Sequence, residues 1–113
     1  MQHYRVGPRM AQVITHNGIA YLAGQVADNA KAGIEDQTRD VLAKVDALLA
    51  EAGTDKSKLL TIQVFLANIS DFAAMNSVYD TWIDPEKKPV RACIEARLAH
   101  PDLRVEVLAV AAI

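Results

Sequence analysis

The run Leu59-Leu60-Thr61-Ile62-Gln63-Val64-Phe65-Leu66 carries too many consecutive apolar and β-branched residues for a strand with one wet face. It reads as a strand lying centrally in a sheet, and the neighbouring segments supply what such a strand needs. Upstream, Gln12-Val13-Ile14-Thr15 and Ile19-Ala20-Tyr21-Leu22-Ala23 flank His16-Asn17-Gly18. Two strand-forming runs joined through Asn-Gly are a strong hairpin signal. Gly24-Gln25 ends the second strand, and Asp28 to Gly33 is a polar loop of small residues.

From Ile34 the apolar positions Val41, Leu42, Val45, Leu48, Leu49 and Ala52 recur at steps of three and four, with Asp36, Arg39, Asp40, Lys44 and Glu51 largely on the other side. This spacing predicts an amphipathic helix stopped by Gly53 in the C′ position. Downstream of the central strand, Ser70 and Asp71 are N-cap candidates for a second helix carrying Phe72, Met75, Val78, Tyr79 and Trp82. Asp84-Pro85 and Lys88-Pro89 break that helix, because a residue before proline is pushed towards extended geometry. Two strands follow, from about Val90 to Leu98 and from about Arg104 to Val110, separated by Ala99-His100-Pro101-Asp102.

The order strand, strand, helix, strand, helix, strand, strand predicts an α+β sandwich, one domain over residues 1–113, with both helices on one face of the sheet. The uncovered face should alternate apolar with polar if it met water. Val90, Ala92, Ile94, Ala96 and Leu98 instead line one side of their strand, and Cys93 stands on the other. Oligomerisation through the open face follows as the expectation, into a ring with sites at subunit contacts.

Composition narrows the class. Apolar residues make up 51% of the 113 positions and charged ones 23%, with only five glycines and four prolines, which excludes disordered and collagen-like chains. The net charge of −2, with no basic run beyond Lys87-Lys88, speaks against nucleic acid as a partner. One cysteine, Cys93, has no internal disulfide partner, the start Met1-Gln2-His3-Tyr4-Arg5 lacks a signal-peptide core, and no apolar run approaches the roughly 20 residues that span a bilayer. A soluble protein of the reducing cytoplasm, without membrane contact, is expected. Phosphate-binding glycine loops, paired cysteines, metal-spaced His or Glu clusters and a Gly-x-Ser-x-Gly elbow are all missing, so neither a metal nor a nucleotide cofactor is indicated.

Charge set into the late strands marks the candidate chemistry. Arg91 offers a planar fork for a carboxylate and faces the same way as Cys93 and Glu95 on its strand. Composition alone favours an ion pair with Glu95 or another strand carboxylate. Glu106 points away from its neighbours Val105 and Val107, and whether it shares a face with Arg91 rests on the register of a hairpin around His100-Pro101 or on contact across an oligomer interface. Cys93 reads as a small buried apolar residue rather than a nucleophile. Tyr79 and Trp82 read as the apolar side of the second helix, and Asn76 as either a solvated residue or a polar hook for the following loop.

The chain resembles the RidA (YjgF) family of reactive intermediate deaminases along nearly its whole length. The resemblance is carried by Ala23-Gly24-Gln25, Gln37-Thr38, Val64-Phe65-Leu66, Asp71-Phe72, Asn76 with Tyr79, Pro89-Val90-Arg91-Ala92-Cys93 with Glu95, and Val105-Glu106-Val107. It implies a chorismate-mutase-like two-layer α+β fold, a mixed sheet and a homotrimer with clefts between subunits. It also implies cofactor-independent hydrolysis of 2-imino acids and enamines, such as 2-aminoacrylate and 2-iminobutyrate, to 2-keto acids and ammonia. In that likeness Arg91 clamps the substrate carboxylate, Cys93 is its neighbour in the cleft, and Glu106 positions water. Asn76 supports the site, and Gly24 contacts the ligand through its backbone.

Two departures from the pattern, Met10 and Ala23, remove hydroxyl groups from the implied cleft. They motivate an alternative, a trimeric module that binds small carboxylates such as 2-keto acids without turnover. Ribonuclease or translation-inhibiting activity, attached to some relatives, is opposed by the acidic balance and by the lack of a basic, aromatic-lined surface pattern.

Overall fold

In the computed structural model, which describes residues 1–113, the strands are β1 Gln2–Tyr4, β2 Val13–His16, β3 Ile19–Leu22, β4 Gln25–Val26, β5 Leu59–Leu66, β6 Val90–Glu95 and β7 Val105–Ala112. The helices are α1 Ile34–Glu51 and α2 Phe72–Trp82. Asn17 and Gly18 both take positive φ, 51° and 76°, as the tight turn between β2 and β3 requires. Gly53, at φ 85°, stops α1 one residue past its C-cap Ala52.

All seven strands join one mixed sheet in the order β1-β2-β3-β7-β5-β6, with β4 also paired to β7. Only β5 and β6 run parallel. The apolar run at Leu59–Leu66 therefore lies inside the sheet, between β7 and β6, as its composition demanded. Along β7 the residues Val105, Val107, Ala109 and Ala111 are buried, while Glu106, Leu108, Val110 and Ala112 are only partly so. The first set joins Val41, Leu42, Val45, Leu48 and Leu49 of α1 and Met75, Val78 and Tyr79 of α2 in one core. This is the expected two-layer arrangement, with helices on one face.

Several boundaries differ from expectation, each for a pairing reason. β6 ends at Glu95 rather than Leu98, because its partner β5 stops at Leu66, whose carbonyl accepts the Ala96 N–H as the last bond. β7 runs on to Ala112, since Ile19 and Ala20 of β3 pair with Ala112 and Ala111. No hairpin forms around His100-Pro101, because β5 separates β6 from β7. Asp71 holds the N-cap position of α2 without a side-chain cap bond; its carboxylate takes the Arg104 guanidinium at 3.2 Å. Ser70 bonds back to Asn68 within the short 3-10 turn that precedes the helix.

The face away from the helices is largely apolar and open. Ile14, Tyr21, Val110, Thr61 and Val90 form one row across it by pairing. Tyr21, Val90 and Ile94 are 48%, 70% and 51% exposed there. No helix is long and apolar enough to cross a membrane.

Gln37 ties the two layers' loops together. Fully buried, its amide nitrogen donates to the carbonyls of Ala30, Ala32 and Asp102, and its oxygen accepts from the Arg104 N–H at 2.9 Å. The loop before α1 is thereby fastened to the entry of β7. Gln37→Ala leaves these backbone groups without partners and is expected to cost about 3 kcal/mol, read as a lower urea midpoint at unchanged slope.

Candidate functional site

Strand register decides where the charged residues go. Arg91 on β6 pairs with Ile62 of β5, while Glu106 on β7 pairs with Phe65. Ile62 and Phe65 are three residues apart, an odd step, so Arg91 and Glu106 emerge on opposite faces of the sheet. Within one chain they do not meet.

Arg91 lies on the helix side, at the outer edge of the sheet. Its Nη1 donates to Asn76 Oδ1 at 2.7 Å, and the guanidinium carbon stands 4.6 Å from the Tyr79 ring centre and 5.8 Å from that of Phe72. The three partners are at i, i+4 and i+7 on α2, one helical face turned towards β6. The ion pair expected between Arg91 and Glu95 is absent: Glu95 Oε1 accepts the Ile69 N–H at 2.9 Å, and none of the six ion pairs contains Arg91. Glu95 is drawn instead to the turn that leads into α2. The guanidinium is thus oriented by an amide and aromatic faces and keeps most of its donors and its full charge.

Cys93 is half-buried two residues along the strand. Burial pushes its thiol pKa up, with the Arg91 charge acting the other way. Burial likewise raises the Tyr79 phenol, opposed by Arg91 and assisted by Asp80. Both groups are therefore protonated at neutral pH, consistent with Cys93 as a non-nucleophile.

A second cluster forms around Gly24. Between the pairs Tyr21–Val110 and Gln25–Val107 the β3–β4 chain takes four steps against three on β7, an extra residue that makes a bulge at Leu22–Gly24. The bulge turns the Gln25 side chain inward, where its nitrogen donates to the Ala23 carbonyl and to Gln12 Oε1, each at 2.9 Å. It also lays the bare backbone of Gly24 against Glu106. A Cβ built on Gly24 would overlap the Glu106 carboxylate, with Cδ only 3.0 Å away. Ala23 brings no hydroxyl to this cluster, and Met10 belongs to the exposed loop that leads into β2.

The structure therefore gathers Arg91, Asn76 and Cys93 in one place and Gly24 and Glu106 in another. Asn76, Tyr79, Asp80, Lys88, Pro89 and Arg91 help line a cavity of about 500 Å³. In the sequence Tyr79 reads as the apolar side of its helix rather than as a site residue, and Lys88 and Asp80 have no role at the site. The spacing Phe72, Asn76, Tyr79 on one helix was the available signal for the tyrosine, masked because an aromatic at helical spacing also fits a core. His16 and His100 stay exposed, bonded to Asn17 and to the Asp102 N–H. No group of three or more His, Cys, Asp or Glu side chains is placed to hold a metal ion.

Two helices on one face of a mixed sheet make this a chorismate-mutase-like α+β protein. The family model for endoribonuclease L-PSP matches residues 6–113. A RutC family protein of Haemophilus ducreyi is 46% identical over 105 residues, covering 93% of this chain and 90% of its own length. The RutC family protein YoaB of Escherichia coli is 40% identical over 105 residues, covering 93% and 91%. A crystal structure of a YjgF family member from Neisseria meningitidis superimposes with a TM-score of 0.95 at 40% identity, covering 98% of this chain and 92% of that one. The chain belongs to this family, whose members carry the names L-PSP, YjgF, RutC and Rid.

If Tyr79 holds the guanidinium, Tyr79→Leu should free it while Tyr79→Phe should not. The heteronuclear NOE of Arg91 Nε–Hε is expected to fall in the leucine variant and to stay at the wild-type value in the phenylalanine one.

Proposed function

We propose that this protein is a cofactor-independent deaminase that hydrolyses 2-imino acids and enamines, of the 2-aminoacrylate and 2-iminobutyrate type, to 2-keto acids and ammonia. The single observation that carries the reading is the oriented Arg91, a guanidinium with no carboxylate partner at the mouth of a cavity. A protonated imine is already electrophilic, so a site needs to hold its carboxylate, keep other nucleophiles away and place one water at the imine carbon. Arg91 clamps the carboxylate and Asn76 fixes the clamp. The backbone at Gly24 and the packing around Cys93 shape the cleft.

Water adds to the imine carbon with Glu106 taking its proton. Glu106 returns that proton to the carbinolamine nitrogen, then takes the hydroxyl proton as the C–N bond breaks and the carbonyl forms. The keto acid and ammonia leave, and the last proton passes from Glu106 to ammonia, giving ammonium. Carbon keeps its oxidation state, so no redox partner enters the balance. Arg91 and Glu106 lie on opposite faces of one chain, and the open apolar strip with the unpaired edge of β6 offers the way to join them: a homotrimer in which one subunit's Arg91 cluster faces the next subunit's Glu106 and Gly24. The reading takes residues 1–113 as a single domain and the cytoplasm as its compartment, the latter supported by the one free cysteine.

A non-catalytic trimeric module for small carboxylates is the second reading, favoured by one observation: neither Ala23, beside Gly24, nor Met10 carries a hydroxyl. Endoribonuclease is the description of the matching family model. For this chain the net charge of −2 and the lone guanidinium of the cavity support a small carboxylate over an RNA strand.

The test generates 2-iminobutyrate in situ and follows 2-ketobutyrate. Arg91→Ala is expected to lower kcat/KM by about a hundredfold, and Glu106→Gln to lower kcat by a similar factor with little change in KM. A wild-type rate no greater than that of Arg91→Ala sinks the deaminase reading; Arg91-dependent binding of 2-keto acids without turnover establishes the module instead. Ile94→Asp, on the open strip, should dissociate the trimer in analytical ultracentrifugation, and a wild-type monomer would rule out the shared cleft.

A further inference from the structure

We infer that the cavity beside Arg91 selects imines bearing a second carboxylate, the 2-imino derivatives of dicarboxylic acids. The inference rests on the deaminase reading above and names its substrate class. Three charged side chains line the cavity: Arg91, Lys88 and Asp80. None of the six ion pairs in the molecule takes any of them, so each charge is uncommitted. The wall thus offers two positive groups and one negative one. A protonated 2-imino dicarboxylate offers the converse, two carboxylates and one iminium. A monocarboxylic imine satisfies Arg91 and leaves Lys88 without a partner.

Lys88 is positioned for this by its loop. The turn after α2 is closed by the Glu86 N–H donating to Asp84 Oδ1 at 2.9 Å and the Lys87 N–H to the Asp84 carbonyl at 3.3 Å. Pro85 and Pro89 limit the backbone on either side, so less freedom is lost when Lys88 engages a ligand. The volume of about 500 Å³ admits a four- or five-carbon diacid with accompanying water. Asn76 and Tyr79, which line the same cavity, leave the skeleton a neutral surface. Asp80 adds repulsion against a plain polyanion, which lacks the positive centre that suits it.

The experiment compares kcat/KM for 2-iminoglutarate and 2-iminobutyrate, each formed in situ by an amino-acid oxidase, in wild type, Lys88→Gln and Lys88→Arg. The ratio of the first substrate to the second is expected to be at least tenfold in wild type, to drop at least tenfold in Lys88→Gln, and to recover in Lys88→Arg. Lys88 is exposed, so these variants are expected to fold. A wild-type ratio of one or less, or a ratio that Lys88→Gln leaves in place, overturns the inference while turnover of either imine keeps the deaminase reading intact. If neither imine is hydrolysed, the deaminase reading falls. Calorimetric affinities for 2-ketoglutarate and 2-ketobutyrate then decide the inference by the same ratio and the same variants.

Discussion

The position of β5 between a parallel and an antiparallel neighbour is the constraint on which the rest depends. Its pairing with β6 puts Arg91 beside Ile62, and its pairing with β7 puts Glu106 beside Phe65. Because side chains alternate along a strand, that choice of partners sends the two charges to opposite faces. A shift of one residue in either ladder would move Arg91 into the open apolar strip or Glu106 into the core, where an unpaired carboxylate is costly. Burial of Ile62, Val64 and Leu66 on one side of β5 holds both ladders in place.

On the helix side, the same register brings β6 under the face of α2 that carries Phe72, Asn76 and Tyr79. Stacking on aromatic faces and a single amide bond orient a guanidinium without neutralising it, whereas a carboxylate partner would have consumed the charge. Glu95, which stood closest in sequence, is held by the Ile69 N–H instead. The turn ahead of α2 thus removes the competitor and places the helix that does the orienting. On the other face, the bulge at Leu22–Gly24 brings bare backbone against Glu106.

Much of the architecture was legible in the chain itself. The apolar run at β5, the Asn17-Gly18 turn, the periodicity of α1 with its stop at Gly53, and the prolines after α2 each rest on local physics, and each appears in the structure. What was hidden is non-local. β1 and β4 are three- and two-residue pairings that exist only because β2 and β7 are there to receive them. The relation of Arg91 to Glu106 could not be read as a hairpin register, since the strand between them lies upstream of both, its pairing residues Ile62 and Phe65 being 29 positions before Arg91 and 41 before Glu106. Asn76 and Arg91 stood out as chemistry-bearing residues, but Tyr79 carried the same pattern as any core aromatic, Lys88 read only as part of a basic pair before a proline, and Asp80 had no neighbour in sequence to mark it.

The contact between Gly24 and Glu106 has a consequence for where the acid points. The two positions share one volume: the space a Cβ would fill at position 24 already holds the carboxylate from position 106. A methyl group at 24 would push the Glu106 carboxylate aside by rotating its flexible side chain, moving the acid without removing it. The direction of that acid is thus set in part by a missing side chain eighty-two residues away along the chain.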